Sequence, residues 1–592
     1  MRHASMFVSW CCVPLFAAAP VANALAAPAA EPAAQPADIV LLHGAVYTQD
    51  EKALWVEAVA VRDGRYVAVG SDADMRALAG PSTRVIDLHG RMLMPGLIDA
   101  HVHAVEGGAE LLFNCNFAPS FGAEQIKTTL AQCHRKAKPG VWMRGGSWDS
   151  DFFAHQNIPS PRRWLDAIVG DRPVTLKDDA HHNTWANSAA LRAAGIGPDT
   201  PDPPGGKFLR EADGKQPNGI VLEAAADKLD GAAPAHTPEE LWRAVLHSQE
   251  LAHGFGIIGI KEADSVEPTI ASYHEVEQAG KLALYVKHCI STFQQQKTPD
   301  SHLDFQVFER IRSAYRGQLM QADCVKFYLD GVPTPARTAS MLDPYLPDEK
   351  GSVTHGLLHV NPAVLDADLV ELDQRGFTVK MHAAGDGAVR EGLDAIAAAR
   401  KVHPRSDLRH EIAHASFISP QDIPRFGALN AVADESPAIW YPSPVFEAVA
   451  AAVGKERARR FWPMRALIDA HAPMSAGSDW PAVAASMNPW GAIEAMVTRA
   501  DPFTNGSERL WPEQGITLAE ALRIYTLGGA AALRREAETG SVEVGKSADF
   551  IVLDRNLFKV PVTAVSDVRV EMTYFQGREV YRRHEKADHS RK

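Results

Sequence analysis

This chain of 592 residues has few cysteines, no net positive charge and few long apolar runs. The formal net charge of −13 argues against a nucleic-acid partner, because phosphate binding needs a basic surface. Only six cysteines are present, two of them within the first 30 residues, so the chain is not a disulfide scaffold. The sequence does not fix the pairing of the other four, which are Cys115, Cys133, Cys289 and Cys324.

The apolar content of 46% and the charged content of 22% are ordinary for a soluble globular protein. The length suggests several domains, although an α/β barrel can occupy 250 or more residues as one unit.

The first 30 residues differ from the rest of the chain. Arg2 is followed by a short apolar core and small residues, and Ala24-Leu25-Ala26 fits a cleavage site. We predict a signal peptide over residues 1–26 and an Ala/Pro linker over 27–37. The apolar run is too short and interrupted to span a membrane comfortably. We therefore expect an exported protein, periplasmic or secreted, without a stable membrane anchor after cleavage; an uncleaved anchor is the alternative.

Short β-branched runs occur at both ends of the chain. "DIVLLHGAVYT" and "EAVAVRDGRYVAVG" stand near the start, and "GSVEVGKSADFIVLDRN" and "VRVEMTYFQGREVY" near the end. Turn signals such as Asp63-Gly64 separate them. We predict one composite β-sandwich from residues 38–90 and 538–585; two unrelated β segments are the alternative.

Eight apolar runs alternate with helical stretches between these ends. The runs are "RMLMPGLIDAHVH", "GIIGIKEAD", "LALYVKHCI", "ADCVKFYLDG", "FTVKMHAAGD", "LRHEIAHAS", "NAVADES" and "APMSAGSD". Eight β/α units are what a closed parallel barrel requires. We therefore predict an α/β fold, a (β/α)8 TIM-type barrel over residues 91–537, with a large insertion after the first strand, residues 106–253, that forms a cap.

Polar residues stand at the ends of several of these runs. The carboxyl ends of parallel barrel strands converge on one face, so we expect these side chains to meet. His101 and His103 are two residues apart and point to one side of a strand. The full set is His101, His103, Lys326, His382, His414 and Asp479.

A divalent metal site explains these residue types. Neutral imidazole and carboxylate suit Zn²⁺ and similar ions. An open coordination position would activate water, with Asp479 as its general base. Lys326 is a ligand only if it is deprotonated or carboxylated, in which form it could bridge two ions. An ion-pairing lysine is the alternative.

The motifs "MPGLIDAHVH", "KFYLDG", "KMHAAGDGAV", "RHEIAHAS", "SAGSDWPA" and "GSVEVGKSADFIVLD" together resemble the metal-dependent amidohydrolase superfamily. The insertion, with "GGSWD", "HHNTWANSAALRAAGI" and "DPPGGKFLREADGKQPNGIVLEAA", resembles the branch that contains N-substituted formamide deformylases. The resemblance covers essentially the whole chain after the leader. It implies a barrel with a composite β-sandwich, one or two divalent ions, and hydrolysis of an amide or related C–N bond.

The resemblance also assigns roles to residues. It implies metal binding by His101, His103, His382 and His414. It implies that Asp479 binds metal, transfers the proton, or does both, and it places Lys326 where several relatives have a carboxylated bridge. The chain departs from the pattern at Ala413, which precedes His414 where this branch usually has an acidic residue; Glu411 is nearby on the same run.

The insertion offers a further catalytic candidate, His182. It keeps the three-residue distance to Trp185 that the branch shows, and it would polarise the substrate carbonyl from the cap. His181 is adjacent, and a histidine that only packs the cap is the alternative. Asp386 is expected to orient His382 or to cap the following helix. Four tryptophans are candidates for an apolar substrate pocket, with simple core packing as the alternative: Trp148, Trp185, Trp440 and Trp480.

We therefore expect an enzyme that hydrolyses an amide-type C–N bond of a small molecule, either an N-substituted formamide or an N-acyl compound. One alternative keeps the fold and cleaves a lactone, an ester or a cyclic amide, or deaminates its substrate. Another is a non-catalytic metal- or ligand-binding protein. The sequence leaves the substrate, the metal count and a homo-oligomer open.

Overall fold

The structure is a computed structural model. It describes residues 8–10, 35–138, 140–149, 152–179, 183–203, 206–348, 351–436, 441–482, 484–504 and 506–583. Most of the predicted signal peptide (1–26) and linker (27–37) lies outside the described residues. Within the described part of the chain, no helix is both long and apolar enough to cross a membrane.

Eight parallel strands form one sheet in sequence order, each strand pairing with the next. They are β1 (Leu97–Val102), β2 (Ile257–Ser265), β3 (Tyr285–Ser291), β4 (Met320–Tyr328), β5 (Thr378–Ala383), β6 (Glu411–His414), β7 (Val432–Glu435) and β8 (Met474–Ala476). The first and last strands approach each other, so the sheet is nearly closed into a barrel. The amide of Asp479, just after β8, donates to the carbonyl of His101 on β1 at 2.8 Å. All eight predicted runs contain a barrel strand, and the predicted fold class is confirmed.

Helices connect the strands and pack on the barrel. They are Ala104–Phe113, Pro238–Gly254, Glu267–Gln278, Phe305–Ala314, Pro362–Gln374, Asp386–Val402, Ile423–Leu429, Pro444–Val453, Lys455–Ala458, Met464–Asp469, Pro489–Thr498, Leu518–Arg523 and Gly529–Ala532, with a π-helical turn at Ile524–Gly528 and a 3₁₀ turn at Pro512–Gln514. Alternate strand residues such as Val379 and Met381 pack with helix residues such as Leu393 and Ile396 in one continuous apolar core. Each such side chain contributes about 1.5–3 kcal/mol through its burial.

The two ends of the chain build a β-sandwich together. One sheet holds Arg65–Gly70, Ala58–Arg62, Ile39–Leu42 and Arg84–Asp87; the other holds Arg578–Arg582, Val570–Phe575, Phe550–Leu553, Met92–Pro95, Ala45–Tyr47 and Trp55–Val56. The short helix Asp72–Arg76 and the 3₁₀ turns Leu557–Lys559 and Val562–Ala564 accompany them. Met94 pairs with Ile551 across more than 450 residues of sequence. Leu41 and Val59 of the first sheet share a core with Leu93 and Phe550 of the second.

The run "RMLMPGLIDAHVH", expected as one barrel strand, is two strands in two sheets. Met92–Pro95 belongs to the sandwich and Leu97–Val102 to the barrel. The switch occurs at Gly96, whose amide donates to Asp549 in the sandwich, while the next amide, that of Leu97, donates to Gly256 beside the barrel. A Cβ at Gly96 would overlap the side chain of Ile258, so only glycine allows the two bodies to meet this closely.

The insertion has a sheet and a core of its own. Its strands are Gly206–Arg210, Pro217–Glu223, Asn183–Ala186, Val174–Asp178, Met143–Trp148 and Cys115–Asn116, in that spatial order. Its helices are Ala123–Lys136, Phe152–His155, Pro161–Val169, Ser188–Ala193 and Asp227–Asp230, with a 3₁₀ turn at Ala224–Ala226. The helices at the two edges of the predicted insertion, Ala104–Phe113 and Pro238–Gly254, pack in the barrel core instead, through residues such as Ala109 and Val245. The cap's own core begins at Cys115 and ends at Leu229.

Candidate active site

A cavity of about 1420 Å³ lies between the carboxyl ends of the barrel strands and the cap. All six residues predicted for the metal site line it: His101, His103, Lys326, His382, His414 and Asp479. The strand-end convergence expected of a parallel barrel therefore brings all six side chains to one space.

Three of the six side chains form a compact group at the bottom of the cavity. His101, His414 and Asp479 each offer a ligand atom within 4.8 Å of the others. His101 Nε2 lies 3.5 Å from Asp479 Oδ1, and His414 Nδ1 lies 3.9 Å from Asp479 Oδ2. His103 joins them through Asp479, with 3.4 Å between its Nε2 and Oδ1. His382 stands beside His414, with 4.7 Å between their ring centres.

The backbone around this group is held in unusual conformations. His414 and Asp479 have φ angles of 67° and 57°, in the left-handed region that non-glycine residues rarely adopt. Such conformations persist only where the surroundings fix them, and they cluster at functional sites. The indole of Trp462 donates to the carbonyl of His414 at 3.1 Å. Gly477 passes so close to the His101 backbone that a Cβ there would overlap it.

Two histidines are oriented by carboxylates that the sequence analysis did not single out. His101 Nδ1 contacts Asp434 Oδ2 at 2.8 Å, and His382 Nδ1 contacts Asp330 Oδ1 at 3.1 Å. Both carboxylates are fully buried. When Nδ1 donates to a carboxylate, Nε2 is left with its lone pair free for an ion. Both residues belong to runs that the sequence analysis quoted, since Asp330 is in the motif "KFYLDG" and Asp434 is in "NAVADES".

The role expected of Asp386 in orienting His382 belongs to Asp330. Asp386 begins the helix Asp386–Val402, and its Oδ1 accepts the amide of Leu342 at 2.8 Å. The aspartate therefore fixes the loop above the helix. The first of the two roles expected of Asp386 is therefore wrong, because Asp330 reaches His382 from the end of the neighbouring strand. For the second role, capping of the helix, Asp386 lies in the first turn, and the N-cap residue is Gly385.

Lys326 lies at the same end of the barrel and is almost completely buried. Its ammonium is 4.8 Å from the ring centre of Tyr328, whose hydroxyl donates to Asp264 at 3.2 Å. Burial, and then the charge of Lys380, lower the pKa of Lys326 to about 8. At this pKa about a tenth of the amine is uncharged at pH 7, far more than for an ordinary lysine.

Two of the imidazoles, those of His101 and His414, are held neutral, and Asp479 is held ionised. Burial lowers the pKa of His101 and of His414 well below the usual range, which keeps both rings neutral. Burial alone would raise the pKa of Asp479, but the neighbouring His414 and the hydrogen bond from His103 lower it. Neutral imidazoles beside an ionised carboxylate are the states in which these groups bind a metal.

These residues fit a divalent ion. His101 Nε2 is buried and has no hydrogen-bond partner among the described residues, a costly arrangement that a bound ion would relieve. Two nitrogens and a carboxylate facing a cavity are the donors of an open zinc-type site, in which one position stays accessible.

His182 and His181 lie outside the described residues, as does Trp440. The nearest described residues before and after the histidine pair, Asp179 and Asn183, line the cavity.

The other three tryptophans pack protein cores and do not line the cavity. Trp148 and Trp185 are buried in the cap core, and their indoles donate to the carbonyls of Leu176 and Pro161. Trp480 is buried in the barrel core. The cavity instead has an apolar wall that the sequence analysis missed, formed by Val445, Ala448, Val449, Phe461 and Trp462.

Comparisons with known proteins agree with this geometry. The sequence pattern described as "Amidohydrolase family" matches residues 84–581. The N-substituted formamide deformylase of Arthrobacter pascens is 29% identical over 552 residues, which cover 91% of this chain and 97% of that protein. The protein LONG AFTER FAR-RED 3 of Arabidopsis thaliana is 28% identical over 560 residues, covering 93% of this chain and 92% of that protein.

A solved structure shows the same fold. An uncharacterized metal-dependent hydrolase from Pyrococcus furiosus superposes with a TM-score of 0.67 at 23% identity, covering 88% of this chain and all of that one. The family match spans most of the chain, from the first sandwich sheet through the barrel to the last strand. This chain therefore belongs to the amidohydrolase family, and it is a hydrolase.

Proposed function

We propose that this enzyme hydrolyses the C–N bond of a small-molecule amide, an N-substituted formamide or an N-acyl compound. The observation that carries the proposal is the group of His101, His414 and Asp479 opening into a large cavity. The similarity to a protein named N-substituted formamide deformylase supports the substrate class.

The residues divide the chemistry between them. When bound, a divalent ion supplies Lewis-acid activation of water and of the substrate carbonyl. Asp479 acts as general base, taking the proton of the attacking water and passing it to the leaving nitrogen. His103, 3.4 Å from Asp479, orients that carboxylate. The apolar wall around Trp462 and Val449 receives the non-reacting part of the substrate.

We propose Zn²⁺ as the metal, on the basis of its nitrogen and carboxylate donors. The number of bound ions depends on whether the Lys326 side chain is carboxylated. Its lowered pKa favours the neutral amine that reacts with carbon dioxide, and the carboxylated side chain would supply oxygens for a second ion. If Lys326 stays free, the chain holds one ion. Metal stoichiometry measured together with the ¹³C NMR carbamate signal in ¹³C-bicarbonate distinguishes the two forms, and Lys326→Met should bind at most one ion.

His182 remains a proposed catalytic residue of the cap, with the role of polarising the substrate carbonyl. Its support is that Asp179 and Asn183, on either side, line the cavity. His182→Ala should lower kcat with little change in metal content, whereas His181→Ala serves as the neighbouring control. Equal effects of the two variants would remove the assignment.

Export is likewise a proposal. The predicted signal peptide supports it, and so do two disulfides, Cys115–Cys133 in the cap and Cys289–Cys324 between β3 and β4. Disulfides of this kind persist in oxidising compartments. Fractionation of the native host tests the proposal: mature protein in the periplasm or medium supports it, and full-length protein confined to the cytoplasm contradicts it.

A substrate panel tests the activity. Zinc-replete protein should release formate or a carboxylic acid from N-substituted formamides or N-acyl amino acids faster than it opens lactones. Faster lactone opening or release of ammonia from an amidine would move the assignment to another reaction of the same fold.

A further inference from the structure

Four buried charged residues lie beneath the metal site, and only Asp434, through its contact with His101, has been given a role so far. They are Lys261 on β2, Lys380 on β5, Glu411 on β6 and Asp434 on β7, and each is at most 1% exposed. They alternate in charge across the barrel interior: Lys261 pairs with Glu411, Glu411 with Lys380, and Lys380 with Asp434. The chain of pairs ends at His101, through the 2.8 Å contact between Asp434 Oδ2 and Nδ1.

Asp434 is fixed from three sides. Its Oδ2 accepts from Lys380 and from His101, and its Oδ1 accepts from the hydroxyl of Ser475 at 2.9 Å. Lys380 is fixed in turn, because its ammonium also donates to the carbonyl of Ala100 at 3.1 Å and lies 2.8 Å from Glu411 Oε2. The carboxylate therefore has no freedom to turn away from His101.

The geometry also fixes the tautomer of His101. The Lys380 ammonium is 3.5 Å from His101 Nδ1 and can only donate a hydrogen bond. If Nδ1 carried a lone pair, it would have to compete with the Asp434 carboxylate for a proton of this ammonium. With Nδ1 carrying hydrogen, both Asp434 bonds are satisfied, and Nε2 presents its lone pair towards Asp479. Burying this many charges is expensive unless every one is paired, as these are.

We propose that the Lys380–Asp434 pair is a positioning device that presets His101 Nε2 for metal binding, with Glu411 and Lys261 holding Lys380 in place. The proposal rests on the metal site proposed above and assigns a role to residues outside it. Neither residue touches substrate or metal. They hold His101 in the tautomer and orientation that metal binding requires, before the metal binds.

The test measures the apparent affinity of the protein for zinc, which does not depend on hydrolytic activity. Purified full-length protein is loaded with Zn²⁺ and titrated with a chromogenic chelator, and the apparent zinc affinity is compared between variants. Asp434→Asn and Lys380→Met should each weaken zinc affinity about 10- to 100-fold, the usual effect of losing a carboxylate that orients a metal-binding histidine. At saturating zinc, kcat should recover to a large part of its original value.

Two matched controls separate positioning from general stability. Asp373 is another buried carboxylate that holds a histidine, His410, at 2.9 Å, and Lys287 is another buried barrel lysine, 2.8 Å from Asp323. Asp373→Asn and Lys287→Met should lower the melting temperature without weakening zinc affinity. If either control weakens zinc as much as Asp434→Asn, the role is only structural and the proposal is wrong.

A milder variant covers the case in which Asp434→Asn does not fold. Ser475→Ala removes one hydrogen bond to Asp434 and should weaken zinc affinity about 2- to 10-fold, the loss expected for a single hydrogen bond. Unchanged zinc affinity in Ser475→Ala and in Lys380→Met would overturn the proposal. A wild-type protein that binds no zinc at all would instead contradict the proposed function.

Discussion

His382 Nδ1 lies 3.1 Å from Asp330 Oδ1, and three backbone amides hold the same carboxylate. Its Oδ1 also accepts from Ala384, at 3.0 Å, and its Oδ2 accepts from Ser340 and Gly385, each at 2.9 Å. Asp330 therefore ties together the end of β4, the loop at Ser340 and the turn that follows His382. A histidine held by so rigid an acceptor has little freedom to rotate.

Replacing Asp330 should lower the catalytic efficiency, because this carboxylate orients His382. Asp330→Asn removes the charge that orients His382 and is expected to lower kcat/KM about 10- to 100-fold. Asp386→Asn is the matched control: Asp386 accepts the loop amide of Leu342 rather than a site histidine, so this variant should keep kcat/KM within about twofold. Steady-state kinetics of the two variants decide the matter. Equal losses in both would show that the loop, rather than His382, is the sensitive element.

The hydrogen bond from Trp462 to the His414 carbonyl should matter for catalysis. Trp462→Phe keeps the apolar wall but removes the bond that holds His414 in its left-handed conformation. The loss of one hydrogen bond, about 0.5–1.5 kcal/mol, predicts a decrease of roughly 2- to 10-fold in kcat/KM. Trp148→Phe removes a similar bond inside the cap core and should leave kcat/KM unchanged. A larger kinetic effect in Trp148→Phe would contradict this account.

Asp549 predicts a pH dependence of stability in the sandwich. Burial raises the pKa of this carboxyl from 3.8 to about 6, although it accepts the amide of Gln576 at 2.7 Å. The pKa of Asp549 is higher in the folded than in the unfolded protein. Its favourable contribution to the free energy of unfolding is therefore complete below about pH 4 and is lost as the pH rises through 6. The loss amounts to about 3 kcal/mol at most.

The comparison that isolates this effect is chemical denaturation of the wild type and of Asp549→Asn between pH 4 and pH 8. The wild type should lose stability relative to the variant as the pH rises, and the difference should level off above pH 7. Parallel stability curves would mean that Asp549 does not titrate in this range.

Thiol counting tests the cysteine pairing. The structure pairs Cys115 with Cys133 and Cys289 with Cys324, which uses all four cysteines beyond the leader. Protein isolated from an oxidising compartment and denatured without reductant should therefore expose no reactive thiol, and reduction should release four. Four reactive thiols before reduction would contradict the pairing.

The barrel could be predicted from the sequence because its signals are local. Eight apolar runs separated by helical stretches, several of them ending in a polar residue, specify parallel strands whose ends converge. His101, His382 and Asp479 could thus be placed together without a structure. Gly96 shows the limit of such reasoning: one apolar run crosses from the sandwich to the barrel, and only the tertiary contact with Ile258 explains the break.

The supporting residues could not be predicted in the same way. Asp434 and Lys380 are charged residues inside short buried strands, and their importance arises from partners on other strands. The choice between substrate pocket and core packing for the tryptophans could not be made for the same reason. Trp148 and Trp185 occur in motifs near the active site in sequence, yet the cap needs them for its own core.

The central claim is that His101, His414 and Asp479 hold a metal at which Asp479 serves as general base. The most direct measurement is metal content and amide hydrolysis for the wild type and Asp479→Asn, made on the same preparations. We predict that zinc is present in both at saturating supply, while kcat of the variant falls at least about 100-fold. Full hydrolytic activity of a metal-replete Asp479→Asn enzyme would contradict the account.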